Sequence, residues 1–121
     1  MYHFLKYNLL LLSTVFFKKI HFAGFENLPK DKPILFASNH SNSFLDGIIL
    51  EVYLLRRVYV MVRGDVFESK FANWFYRSVR LLPIYRKTDG DPREAVGKNN
   101  ASFDECYEFF KRGRHILIFS E

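Results

Sequence analysis

Cysteine is nearly absent: Cys106 is the single one in 121 residues. An internal disulfide is therefore excluded, and a reducing compartment fits. Long apolar runs are missing too. The main one, Tyr7 to Phe17, has about half of the ~20 residues needed to span a bilayer. There are no paired zinc ligands, no basic leucine-zipper region and no aromatic ribonucleoprotein signature, so nucleic acid is not expected as a partner. The six glycines are scattered and form no phosphate-cradling loop, and there are no repeats or low-complexity tracts.

What is present points to one packed domain. With 49% hydrophobic and 26% charged residues, the chain is globular, long enough for one core and too short for two. Its 14 Phe and 7 Tyr provide more apolar surface than a small core needs, and some of it is expected to face lipid. The formal charge of +5 favours an anionic bilayer or a phosphorylated substrate.

Tyr7 to Phe17 lies between Lys6 and the pair Lys18-Lys19. This suits a helix lying in the membrane interface with lysines at the headgroups, on the cytoplasmic face. A buried core helix is the alternative, and a signal peptide is disfavoured because no small-residue cleavage site follows. Residues 1–23 are read as this membrane-associating segment and 24–121 as the core, joined through a polar connector punctuated by Gly24, Pro29 and Pro33.

Within the core, strands are expected at Pro33–Ala37, Val58–Val62, Leu81–Tyr85 and His115–Phe119. Pro83 argues for an edge strand or a strand start at the third. Helices are expected from Ser43 to about Arg57, from Phe67 to Arg80, and from Asp91-Pro92 to about Arg112, stopping at Gly113. Ile48, Ile49, Val52 and Leu55 are assigned to the core, as is the stripe Phe71, Trp74, Phe75 and Val79. Cys106, among Phe103, Tyr107 and Phe110, reads as packing rather than as a nucleophile. The alternation implies an α/β fold with a largely parallel sheet and crossover helices. Because the chain ends on a buried strand, the C-terminal part of the domain is expected to be missing.

The chemistry concentrates at Ser38 to Gly47, which follows the first strand. Open α/β sheets often carry their functional side chains at the carboxyl ends of strands. His40 and Asp46 would lie about 120 degrees apart on one helix and cannot share a face. They can meet if His40 is in the loop and Asp46 in the first turn of a helix opened by a Ser43-x-x-Asp46 capping box. A carboxylate beside an imidazole sets its tautomer and basicity, as in a general base that takes a proton from an attacking hydroxyl. A structural pair of capping and turn residues is the competing reading. Arg86, directly after a strand, suits bidentate contact with a phosphate.

Four separated pieces, Asn39-His40 with Asp46, Arg63 to Phe67, Leu82 to Arg86 and Ile118 to Glu121, together resemble the glycerolipid acyltransferases of the 1-acylglycerol-3-phosphate acyltransferase type. That resemblance implies phospholipid biosynthesis by transfer of an acyl group from acyl-CoA or acyl-carrier protein to glycerol 3-phosphate or a lysophospholipid. His40 would be the base, Asp46 its orienting carboxylate, Arg86 the holder of the acceptor phosphate, and Glu121 and Asn39 further acceptor contacts. No metal or other cofactor is implied. The gap between His40 and Asp46 is one residue longer than is usual in the family, and the third motif stops at Glu121, so the fragment itself is expected to be inactive. A catalytically silent phospholipid-binding module is the alternative.

Overall fold

The computed structural model describes residues 1–39, 45–54, 57–86, 88 and 90–119, with Leu45 and Ile48 as backbone only. His40, Ser43, Leu55, Lys87, Glu121 and the Ile48 side chain thus lie outside the described residues. Four strands, β1 (Leu35–Ser38), β2 (Val58–Arg63), β3 (Leu81–Ile84) and β4 (His115–Phe119), form a sheet in the order β1-β4-β2-β3. All three pairings are parallel. The expected α/β fold with a parallel sheet is what forms, and β3, which carries Pro83, lies at an edge.

Helix α2 (Leu45–Tyr53) follows β1, α3 (Lys70–Ser78) links β2 to β3, and α4 (Pro92–Lys111) returns the chain past β2 so that β4 enters between β1 and β2. The period-2 alternation of each strand divides the core into two layers. Val58, Val60 and Leu117 pack with Leu50 of α2 and with Leu54 just past its end on one face. Met61, Leu82 and Ile116 pack with Cys106, Phe109 and Phe110 of α4 on the other. Leu82, Ile116, Leu117 and Val58 are the largest fully buried side chains, and burying each is worth about 1.5–3 kcal/mol. Burial pushes the Cys106 thiol pKa up, which agrees with packing rather than nucleophilic use. Helix α4 leaves part of β1 uncovered: Leu35 is 54% exposed.

Capping chemistry sets the helix limits. Asp91 accepts from Arg93 N at 2.9 Å to open α4. At its end, Gly113 (φ 69°) and Arg114 return their N–H groups to Phe110 O and Phe109 O. That is a Schellman closure, in which the left-handed residue favours glycine.

Helix α3 corrects the sequence expectation twice. Gly64–Phe67 is a short 3₁₀ turn, and α3 begins only after Ser69, whose side chain accepts from Ala72 N at 3.0 Å. Its inward side is Ala72, Phe75, Tyr76 and Val79, while Phe71 and Trp74 are 73% and 61% exposed. Phe67 is buried beneath the helix, with its ring 5.5 Å from that of Tyr76. The stripe therefore turns partly outward, because the later start and the buried Phe67 set which side meets β3.

An N-terminal helix, α1 (Tyr2–Phe16), packs against α2, and its less exposed positions are Tyr2, Lys6, Leu9, Leu10 and Ser13. Ser13 Oγ and Tyr53 Oη lie 2.7 Å apart. Lys6 Nζ donates to Leu54 O at 2.9 Å, satisfying a carbonyl just past the end of α2. The Arg80 guanidinium sits 3.4 Å from the centre of the Tyr2 ring. Phe4, Tyr7, Leu11, Leu12, Val15 and Phe16 face outward. Among the described residues, no helix is long and apolar enough to cross a membrane.

Glu51 of α2 sits within this polar seam. Burial raises its carboxyl pKa from 4.5 to about 7, against the opposing pull of Arg80 and then Lys6. An acid whose pKa is raised on folding binds its proton more tightly in the native state. Stability is therefore fully present below about pH 4.5 and falls as pH rises through about 7. Glu51→Gln is expected to add about 2 kcal/mol to unfolding stability at about pH 8 and almost nothing at about pH 4. Urea unfolding across that range is the measurement, and an equal increment at both ends would contradict the assignment.

Candidate active site

A parallel sheet gathers the carboxyl ends of all its strands on one side. Ser38 pairs with Phe119, and Arg63 with Ile84. Asn39 leaves β1 exposed at that edge. Asp46 stands half-buried in the first turn of α2, where the positive end of the helix dipole favours a carboxylate.

This turn approaches the sheet at Gly47. A Cβ there would lie 3.6 Å from the Phe119 ring, so the helix start rests against the end of β4. Asp46 is thereby carried to the carboxyl ends of the neighbouring strands β1 and β4. Its partner in the sequence expectation, His40, and the expected acceptor contact Glu121 are outside the described residues.

Arg86 is exposed and follows β3. It shares the carboxyl edge but not the neighbourhood of Asn39, because β4 and β2 lie between β1 and β3. Three strand spacings separate the two edge strands, about 14 Å. The strand-end arginine nearer to β4 is Arg63, which closes β2 and pairs with Asp65 at 2.9 Å.

Two residues that sequence reasoning left without a role position the Arg86 loop. Asn99 of α4 clamps the Tyr85 backbone, accepting from its N–H and donating to its carbonyl, both at 2.7 Å. Gly64 lies directly beneath the Tyr85 ring: a Cβ there would come 2.2 Å from Cε1. The signals for Gly64 were its place directly after a strand and within the Arg63 to Phe67 piece. Asn99 gave none, since a polar residue within a helix reads as solvated. Among the described residues, no three His, Cys, Asp or Glu side chains are grouped to hold a metal ion.

The carboxyl edge thus joins a helix-opening carboxylate, Asp46, with the strand-end arginines Arg63 and Arg86. The family model described as Acyltransferase matches residues 19–121. The chain belongs to the acyltransferase family. It is 30% identical over 121 residues to the chloroplastic 1-acyl-sn-glycerol-3-phosphate acyltransferase LPAT1 of Arabidopsis thaliana, across 99% of this chain and 32% of that protein. An uncharacterized acyltransferase, C1718.04, of Schizosaccharomyces pombe is 29% identical over 84 residues, 65% of this chain and 12% of the relative. The acyltransferase chain thus spans about a third of the length of the plant relative. No solved structure matches it.

Proposed function

We propose that this acyltransferase domain moves a fatty acyl group from acyl-CoA or acyl-carrier protein to the hydroxyl of a phosphorylated glycerolipid, with lysophosphatidate as the first acceptor to test. The observation that carries this reading is Asp46 in the first turn of α2, where the neighbouring Gly47 lies against the end of β4, within a chain of this family.

His40 takes the proton of the acceptor hydroxyl as its oxygen attacks the thioester carbonyl, and Asp46 orients the imidazole. The C–S bond then breaks, and the departing thiolate recovers the proton from His40. Arg86 holds the acceptor phosphate, and Asn39 and Glu121 contact the rest of the acceptor. The name of the plant relative supports lysophosphatidate as acceptor. The apolar outer face of α1, followed by Lys18 and Lys19, supports seating at a membrane interface, where the acceptor resides.

The test is acyl transfer by the longest open reading frame that carries this chain, with both donors, to lysophosphatidate and to monoacylglycerol. Turnover should favour lysophosphatidate, and Arg86→Ala should raise its KM about tenfold while changing kcat less. Vesicle binding without turnover from either donor would replace this reading with a silent phospholipid-binding module.

A further inference from the structure

The amino ends of the strands carry a second feature, on the side of the sheet opposite the candidate active site. A cavity of about 500 Å³ opens there, lined by Lys30, Arg57, Arg112, Gly113, Arg114 and His115. Its size lies within the range of small-molecule sites. The topology makes it: Lys30 precedes β1, Arg57 precedes β2, and Arg112 to His115 lead from α4 into β4. Because β4 inserts between β1 and β2, three separate stretches of chain bring their cations to one hollow.

We infer that this hollow is an anion site that takes a phosphate or pyrophosphate group, on a free small molecule or on a lipid headgroup. Four of its six lining residues are lysine or arginine, and none is acidic. Among the described residues, Lys30, Arg57 and Arg112 enter no ion pair. Arg114 is fixed by the Tyr59 hydroxyl and by the Phe109 ring, 5.6 Å from its guanidinium. His115 Nδ1 accepts from Ile34 N at 3.0 Å.

The bland explanation is that these cations only complement helix C-termini. Magnitudes argue against it. The ends of α2 and α4 at this edge contribute about −0.5 each, against four formal positive charges, so a large excess remains.

The site is separate from the acceptor phosphate contact proposed at Arg86. The length of β4 alone places the two edges about 13 Å apart, so one phosphate group cannot occupy both. Loss of this site would therefore leave the catalytic reading standing, and the reverse holds as well.

The experiment measures thermal unfolding with sodium pyrophosphate against sodium chloride of equal ionic strength, and flotation with phosphatidylcholine vesicles with and without phosphatidic acid. Pyrophosphate should raise Tm beyond the salt control. Its affinity should fall about tenfold in Arg57→Gln/Arg112→Gln, two exposed positions, and remain unchanged in Lys70→Gln/Arg93→Gln, which removes equal charge elsewhere. Lys30→Gln alone serves if the first double variant does not fold, with a smaller loss.

A matching loss of phosphatidic-acid-dependent flotation, competed by pyrophosphate, assigns the headgroup as the source. Unchanged flotation assigns the free anion. No pyrophosphate effect beyond salt, or an equal effect in the Arg57→Gln/Arg112→Gln and Lys70→Gln/Arg93→Gln proteins, overturns the inference.

Discussion

His40→Ala is expected to lower kcat for acyl transfer to lysophosphatidate by about 10²–10⁴-fold, the usual contribution of a positioned general base. KM for the acceptor should change little, because the phosphate contact lies elsewhere. The companion Asp46→Asn keeps the size of the side chain and removes its charge, so it separates orientation from shape. Its loss should be smaller, and it should shift the acidic limb of the kcat/KM profile, which reports the base in the free enzyme. Activity of His40→Ala within a few-fold of the unaltered protein would remove the proposed base. An Asp46→Asn enzyme with full activity and an unshifted profile would leave His40 without its orienting carboxylate.

Gly64→Ala should produce the largest structural disturbance of any single methyl group at the carboxyl edge. The added Cβ would lie 2.2, 2.4 and 2.5 Å from three atoms of the Tyr85 ring, well inside contact distance, so the ring must move. Its backbone cannot easily follow, because Asn99 holds the Tyr85 N–H and carbonyl together. Overpacking of this kind costs about 1–3 kcal/mol. The displacement falls one residue before Arg86, so acceptor KM should rise more than kcat falls. Chemical unfolding and kinetics together test this. Tyr85→Ala in the Gly64→Ala background should recover most of the lost stability, a coupling that a double-mutant cycle measures. An unchanged midpoint, or strict additivity of the two substitutions, would show that the ring and the glycine do not interact.

The two edges of the sheet divide the chemistry. The carboxyl edge carries Asp46, Asn39 and the strand-end arginines, and the amino edge carries the basic hollow. Both follow from one crossover, the return of α4 past β2 that seats β4 between β1 and β2. Without it, Asp46 would have no strand end to rest on, and Lys30, Arg57 and Arg112 would not converge.

Several elements were legible in the chain alone. The apolar run from His115 to Phe119 is β4 to the residue. Asp91-Pro92 marks the start of α4, and Gly113 follows its end. Pro83 marks the edge strand, since a proline cannot supply a ladder N–H. These signals are local: covalent geometry, capping and β-propensity act within a few residues. The same locality made Asp46 readable as a helix-opening carboxylate, while the order of four separated pieces made the acyltransferase resemblance readable.

Tertiary structure decided what depends on partners distant in sequence. It turned Phe71 and Trp74 outward, since hydropathy reports an apolar stripe but not whether a buried Phe67 already fills the space beneath it. It set Tyr2, Lys6 and Ser13 of α1, with Leu9 and Leu10, on the inner side and left Phe4, Leu11 and Val15 outside, a division that a run of apolar residues does not reveal. It also placed Gly64 under Tyr85 and Asn99 on its backbone, contacts that arise only after β2, β3 and α4 have packed. Residue types and their local order determined the elements and the family of this protein. Strand order and packing, which are collective outcomes of burying apolar area, decided which of its polar groups share a surface.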